Sequence, residues 1–281
     1  MKTNRYFLWG MAKSTLIHIF LMTVALTCLF PLFWMIRCAF MTNATVFVDN
    51  SIIPHHLNFG NFAIAWTKGN FAVYFLNSVI YTVCVVGGIV LISSLAAYSF
   101  SRLKFPGKNI IFYMFVGAMM IPLPGSFVAL FVLMTKLHLI NTRFGYILCM
   151  INVGLSMSIL IFKTFFDKMP HELEDAARID GCGKFGIWWN MAMPFARPAI
   201  AVIVIFNSLN VWNEYILSTL LLGDSNLMPL QRGLVVFQGA NSTDYPVLMA
   251  GLTMAAIPII MVYLFMQKHI VKGLSSGEVL G

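Results

Sequence analysis

Charge is what this sequence has least of: only 10% of its 281 residues are Asp, Glu, Lys or Arg. Soluble domains carry about 25%, so an ordinary water-soluble enzyme is excluded. Acidic residues are scarcest, ten in all against 18 Lys and Arg. No Walker A pattern occurs. Ala12-Lys13-Ser14 and Gly183-Lys184-Phe185 come nearest, and neither supplies the glycine-rich loop whose amides wrap phosphates. Neither H-E-x-x-H nor a nucleophile elbow is present, so nucleotide chemistry is expected on another chain. The five cysteines, Cys28, Cys38, Cys84, Cys149 and Cys182, form no C-x-x-C and no His/Cys cluster, and indicate neither zinc nor a redox pair. Internal repeats, low-complexity tracts and lipidation signals are also missing.

What is present is apolar: 59% of residues are hydrophobic and 14% aromatic, with a mean hydropathy of +0.84. Runs of this kind cannot stay solvated as a disordered chain. The implied class is an all-α polytopic membrane protein, a single transmembrane domain over residues 1–281 with six helical spans. They are expected at Thr15–Ile36, Tyr74–Tyr98, Ile110–Met134, Phe144–Phe162, Ala199–Leu222 and Tyr245–Gln267. Thr15–Ile36 is too long for a signal peptide and has no A-x-A site, so it reads as a retained first helix.

Assigning the loops alternately places thirteen of the 18 basic residues on one side and five on the other. Cytoplasmic loops carry the basic excess, so both termini are expected in the cytoplasm, and the net charge of +8 points to a bilayer rather than to nucleic acid. The outer segment 38–70 is polar and turn-rich. Its His55-His56 pair has no further ligands at metal-site spacing and reads as solvated loop. His18, in the first span, reads as a hydrogen-bonded helix residue.

The longest basic loop, 163–197, carries the most information. Pro170 is suited to a helix start, and Glu172, Glu174 and Asp175 follow where the positive helix end favours acids. Leu173, Ala176, Ala177 and Asp180 recur at i, i+3, i+4, i+7 and are expected to share one face. Gly181 supplies a stop, and Lys184–Met193 reads as a second, aromatic-rich segment ended by Pro194. Physics alone leaves two readings level: a helix presented to another protein, or an amphipathic helix resting on lipid headgroups.

The spelling separates them. Glu174-Asp175-Ala176-Ala177, then Arg178-Ile179-Asp180-Gly181, then nine residues and Met191-Ala192-Met193-Pro194, resembles the EAA motif of ABC importer permeases, E-A-A, three residues, G, nine residues, I-x-L-P. Asp175 replaces Glu, Met191 replaces Ile and Met193 replaces Leu; charge and apolar bulk are kept. Ala96–Gly107, Trp212-Asn213-Glu214-Tyr215 and the tail Val271–Gly281 are similar to segments of carbohydrate-uptake permeases of the maltose type. The resemblance implies a type I ABC importer permease fold and a non-catalytic pore subunit for a mono- or oligosaccharide. It further implies a bacterial inner-membrane location and four kinds of partner: a second permease, ATP-binding subunits holding ATP and Mg, an extracytoplasmic sugar-binding protein and the bilayer. Leu173, Asp175, Ala176, Ala177, Asp180, Gly181 and Pro194 would then serve ATPase coupling, and Gly273, Ser276 and Gly277 a tail contact with the ATPase.

Glu214 is the only acidic residue within an expected span, and such residues are costly unless paired or facing a cavity. Asn207, Asn210 and Glu214 fall on one helical face. With Trp212 and Asn213 they are the candidate translocation path, because sugar hydroxyls suit amides and carboxylates. Asn152 and Ser156 are similarly arranged on the fourth span. Interhelical hydrogen bonding is the competing role for these polar groups. The rival function is an ion-coupled secondary transporter or channel in which Glu214 carries a proton or cation.

Overall fold

A computed structural model of the chain describes residues 2–68, 70–121, 123–237 and 243–275, with side chains at 13–67, 70–121, 125–235, 237 and 243–265. Two compact units are formed, one from 1–69 with 236–254 and the other from 70–235 with 255–281. Most of the described residues are helical, with no strand ladder among them.

In the first unit, α1 (Lys2–Ala39) is a 38-residue helix. Its apolar side chains from Leu16 to Ile36 are exposed on all sides, as expected where the surrounding solvent is lipid. At its last turn Arg37 is buried. Its Nε donates to Ser51 O at 2.6 Å and an Nη to Asp49 O at 2.5 Å, and its guanidinium lies 4.4 Å from the Trp34 ring centroid. The following segment, expected to be polar and turn-rich, contains a short helix α2 (Gly60–Lys68). Asn61 anchors it by donating to Ala39 O and Met41 O at 2.8 and 2.7 Å. Ala39, Ala65, Val247 and Ala250 make the small-residue core of this unit, and such residues let helix backbones approach closely.

The second unit is built on α3 (Phe71–Arg102) packed along α6 (Arg143–Lys168). Gly154 makes the approach possible. A Cβ there would stand 2.2 Å from Asn207 Oδ1 and 2.5 Å from Ile89 Cδ1. The Tyr81 and Tyr146 rings meet edge-on at 4.7 Å between centroids. These two helices, together with Lys13–Ala39 and Tyr245–Phe265, are long and apolar enough to cross a membrane.

Two expected spans are not continuous helices. The third is divided into α4 (Lys108–Ala118), a 3-10 turn (Leu123–Ser126) and α5 (Phe127–Lys136). Pro124 lies in that turn and lacks a backbone donor; Pro122 falls outside the described residues. Beyond α6 come α7 (His171–Ile179), α8 (Lys184–Ile187), a π turn (Trp188–Ala192) and α9 (Met193–Phe195). Pro194 therefore does not end the second segment of the loop. The wide turn, in which Met193 N donates to Trp188 O, opens the ladder where the proline ring would clash. The chain then bends by 77° into α10 (Arg197–Trp212).

The expected fifth span breaks after α10 and resumes as α11 (Ile216–Leu221). Glu214 causes the break: its carboxylate accepts from the amides of Leu217 and Ser218, replacing backbone carbonyls as a capping side chain does. A short α12 (Leu230–Gly233) follows. The last helix, α13 (Tyr245–Ser275), runs eight residues beyond the expected end of the sixth span.

Candidate functional site

The polar groups of the second unit gather in two places. The first is the end of α3 that meets α6 and α7. Pro170 stands at the N-cap of α7 with Glu172 and Glu174 in its first turn. At the other end Gly181, at φ +82°, donates to Arg178 O, and Cys182 N donates to Ala177 O at 2.9 Å. This pair of bonds is a Schellman motif, and its left-handed residue favours glycine. The stop expected at Gly181 is thus present with a defined geometry.

The face of α7 differs from the expected one. Ala177 is fully buried in the core of the second unit, while Leu173, Ala176 and Asp180 are exposed. Glu174, not a member of the expected set, is buried beside Ala177. The outward surface thus keeps Leu173, Ala176 and Asp180, together with Asp175 of the expected coupling set, and adds Ile179, 87% exposed. A 100° step per residue explains the correction: Glu174 and Ala177 lie on adjoining positions of one side, and the charge of Glu174 decides which side turns inward because its partner is there.

That partner is Arg102, the last residue of α3. Its Nε lies 3.1 Å from Glu174 Oε1, with both side chains 3% exposed. The same guanidinium donates to the carbonyls of Phe166 and Met169 and lies against the ring of His171. Next to it, Ser101 donates to Asp167 at 2.6 Å, and Asp167 also pairs with Lys163 at 2.6 Å. Arg178 reaches Glu174 at 3.2 Å and Asp175 at 2.8 Å from the solvent side. Arg102 falls within the segment 96–107 that is similar to carbohydrate-uptake permeases, and the sequence alone assigns it no role. The available signal was an arginine ending a stretch, 69–101, without any charged residue.

The second place is the polar side of α10. A cavity of about 760 Å³ is lined by Asn152, Asn210 and Glu214 among apolar side chains, and another of about 610 Å³ by Ser158, Asn207 and Asn210. Asn210 is exposed and borders both. The other candidates are more committed. Asn207 donates to Ser158 Oγ at 3.2 Å and Ile203 O at 2.8 Å, tying α10 to α6. Glu214, besides its capping bonds, accepts from Tyr146 Oη at 3.0 Å. Asn213 is exposed and donates to Leu209 O. Trp212 lines neither cavity: it is buried, donates from Nε1 to Ala255 O at 3.2 Å and meets Phe75 edge-on. Ser156 lines neither cavity.

Gly273 lies in the last turn of α13, whereas Ser276 and Gly277 fall outside the described residues. His18 Nδ1 donates to Ser14 O at 2.7 Å, the within-helix bond expected of it.

Residues 88–276 match the family described as "Binding-protein-dependent transport system inner membrane component". The chain belongs to that family. The permease is 34% identical over 268 residues to a probable ABC transporter permease protein, YurM, of Bacillus subtilis, covering 95% of this chain and 89% of that one. It is 30% identical to the diacetylchitobiose uptake system permease protein NgcG of Streptomyces coelicolor, covering 92% and 87%. Among solved structures, a bacterial ABC transporter that imports the acidic polysaccharide alginate superposes with a TM-score of 0.77 at 25% identity, over 93% of this permease and 96% of that chain. The permease is thus a multi-pass inner-membrane component with the helical ABC importer permease fold, and its two broken spans are consistent with six crossings.

Proposed function

We propose that this permease is the membrane-spanning pore subunit of an ATP-driven importer for a mono- or oligosaccharide, with residues 1–281 as one transmembrane domain and 163–197 as its cytoplasmic coupling loop. The observation that carries the reading is α7: a nine-residue helix that presents Leu173, Ala176, Ile179 and Asp180 outward while its inner side is fixed by a buried ion pair. Such a surface suits insertion into a cleft of a separate ATPase, whose subunits would hold ATP and Mg. Catalysis belongs to those subunits, since this chain has no phosphate-cradling loop. Relatives named for diacetylchitobiose, maltodextrin and arabinooligosaccharides support a sugar cargo, delivered by an extracytoplasmic binding protein and shared with a second permease. Basic residues bias both termini to the cytoplasm, where the tail from Gly273 through Ser276 and Gly277 would also reach the ATPase.

In the pore, Asn210 is the side chain best placed to meet cargo, with Asn207 and Glu214 shaping the walls of the two cavities. Nothing favours the ion-coupled alternative, because Glu214 is engaged by two amides and a tyrosine hydroxyl. The deciding experiment is purification of the tagged chain in mild detergent, followed by ATPase assay with and without its binding protein and candidate sugars. Co-purifying ATPase stimulated by sugar-loaded binding protein is expected. An ATPase-free chain that transports in proteoliposomes under an ion gradient would overturn the reading.

A further inference from the structure

A short helix hung between two connections, at Met169–Pro170 and at Asp180–Gly183, would swing under load unless side chains stiffened it. The described contacts of α7 with the rest of the unit are few. Ala177 packs in the core, but a methyl group gives no directional hold. Glu174 adds a buried charge pair, its Oε1 3.1 Å from Arg102 Nε without the alignment of a hydrogen bond, and Arg102 simultaneously donates to the terminal carbonyls of α6. One planar guanidinium, with its donors in a fixed fork, therefore joins three helices. The Ser101–Asp167 bond pins α3 to α6 a second time. Arg178 braces Glu174 from outside, yet its ion pairs lie within α7 and cannot carry force out of it. Burial matters mechanically, because a pair shielded from water interacts more strongly than an exposed one, which solvent loosens.

We propose that the Arg102–Glu174 pair is the joint that delivers motion of α7 to α3 and α6, so that the three helix ends travel as one body during transport. The inference rests on the coupling reading of α7 and makes Arg102 and Glu174 positioning residues that touch neither nucleotide nor cargo. In the reconstituted importer, spin labels at Lys104 and Glu172, both exposed, report the separation of the end of α3 from α7. That separation is expected to be the same without nucleotide and in the vanadate-trapped state, and to become state-dependent and broad in Glu174→Gln. Cargo moved per ATP hydrolysed should fall about tenfold in Glu174→Gln, within the usual range of coupling between sites.

A separation that changes with nucleotide in the unsubstituted pair overturns the joint, and this holds even if Glu174→Gln fails to assemble. Full cargo per ATP in an assembled Glu174→Gln complex overturns it too, while leaving the coupling helix standing. A chain that recruits no ATPase removes the coupling reading and the joint together.

Discussion

Two long helices of this permease end in a buried arginine, and the two arginines do different work. Arg37 closes α1 and Arg102 closes α3. Each sits where the negative helix end favours a cation, and each gathers carbonyl oxygens beyond its own helix. Arg37 takes its partners 12 and 14 residues along the chain, so it staples the loop that immediately follows. Arg102 takes its carbonyl partners 64 and 67 residues away, on another helix, and Glu174 on a third. The counter-charges differ as well: the Asp49 side chain is 20% exposed, that of Glu174 only 3%. The same group is thus a local clip in one unit and a tie between elements in the other. Sequence separation and dryness make the difference.

The comparison can be broken from the far end of α7. Gly181→Pro removes the amide that donates to Arg178 O and cannot adopt φ +82°. It should abolish transport and stimulated ATPase while membrane insertion, checked by fractionation, persists. Normal sugar-stimulated ATPase in that variant would refute the coupling assignment. Arg102→Met comes next. It leaves Glu174 buried with only Arg178 beside it, and breaking such a pair costs about 3–5 kcal/mol. A lowered melting temperature of the complex and a lower ratio of transport to ATP hydrolysis should appear together.

Arg37→Met sharpens the contrast. It removes hydrogen bonds to two carbonyls and one partly exposed ion pair, a loss of about 1–3 kcal/mol. The segment 40–59 should become more protease-sensitive, with transport per ATP unchanged. A loss of coupling equal to that of Arg102→Met would erase the distinction. The smallest effect is one of pH. The Ser51 hydroxyl and amide hold the Asp49 carboxyl below its ordinary value, with His55 and Arg37 adding to the effect. A depressed carboxylate stabilises the fold above the unfolded value and loses that contribution as pH falls through the folded one. Protease sensitivity of this loop should therefore be flat from neutral pH down to about pH 4 and rise only in stronger acid.

Much of the architecture was legible because lipid imposes a simple rule, that backbone polar groups pair within a helix and side chains face outward apolar. Four long helices and the α7 start and stop follow from it and from capping residues. The interruptions were less legible. Pro124 with Gly125 lay in plain view inside the third run, but an apolar run reads as one span until its backbone is traced. Glu214 stands out in the sequence for its charge within an apolar run and for sharing a helical face with Asn207 and Asn210. Its capping of α11 is a local matter, three and four residues along the chain, but it requires the helix to break at 213–215, which the apolar periodicity does not mark.

Composition by itself determined the solvent of this protein, and local spacing determined where α7 starts and stops: scarce charge demands a bilayer, and capping residues close in sequence survive as a local helix. Only the tertiary structure decided which side of α7 faces outward, that Trp212 lies off the two cavities bordered by Asn210, and that Arg102 meets Glu174. Those outcomes rest on contacts between residues dozens of positions apart, where burial selects the geometry that leaves no charge without a partner.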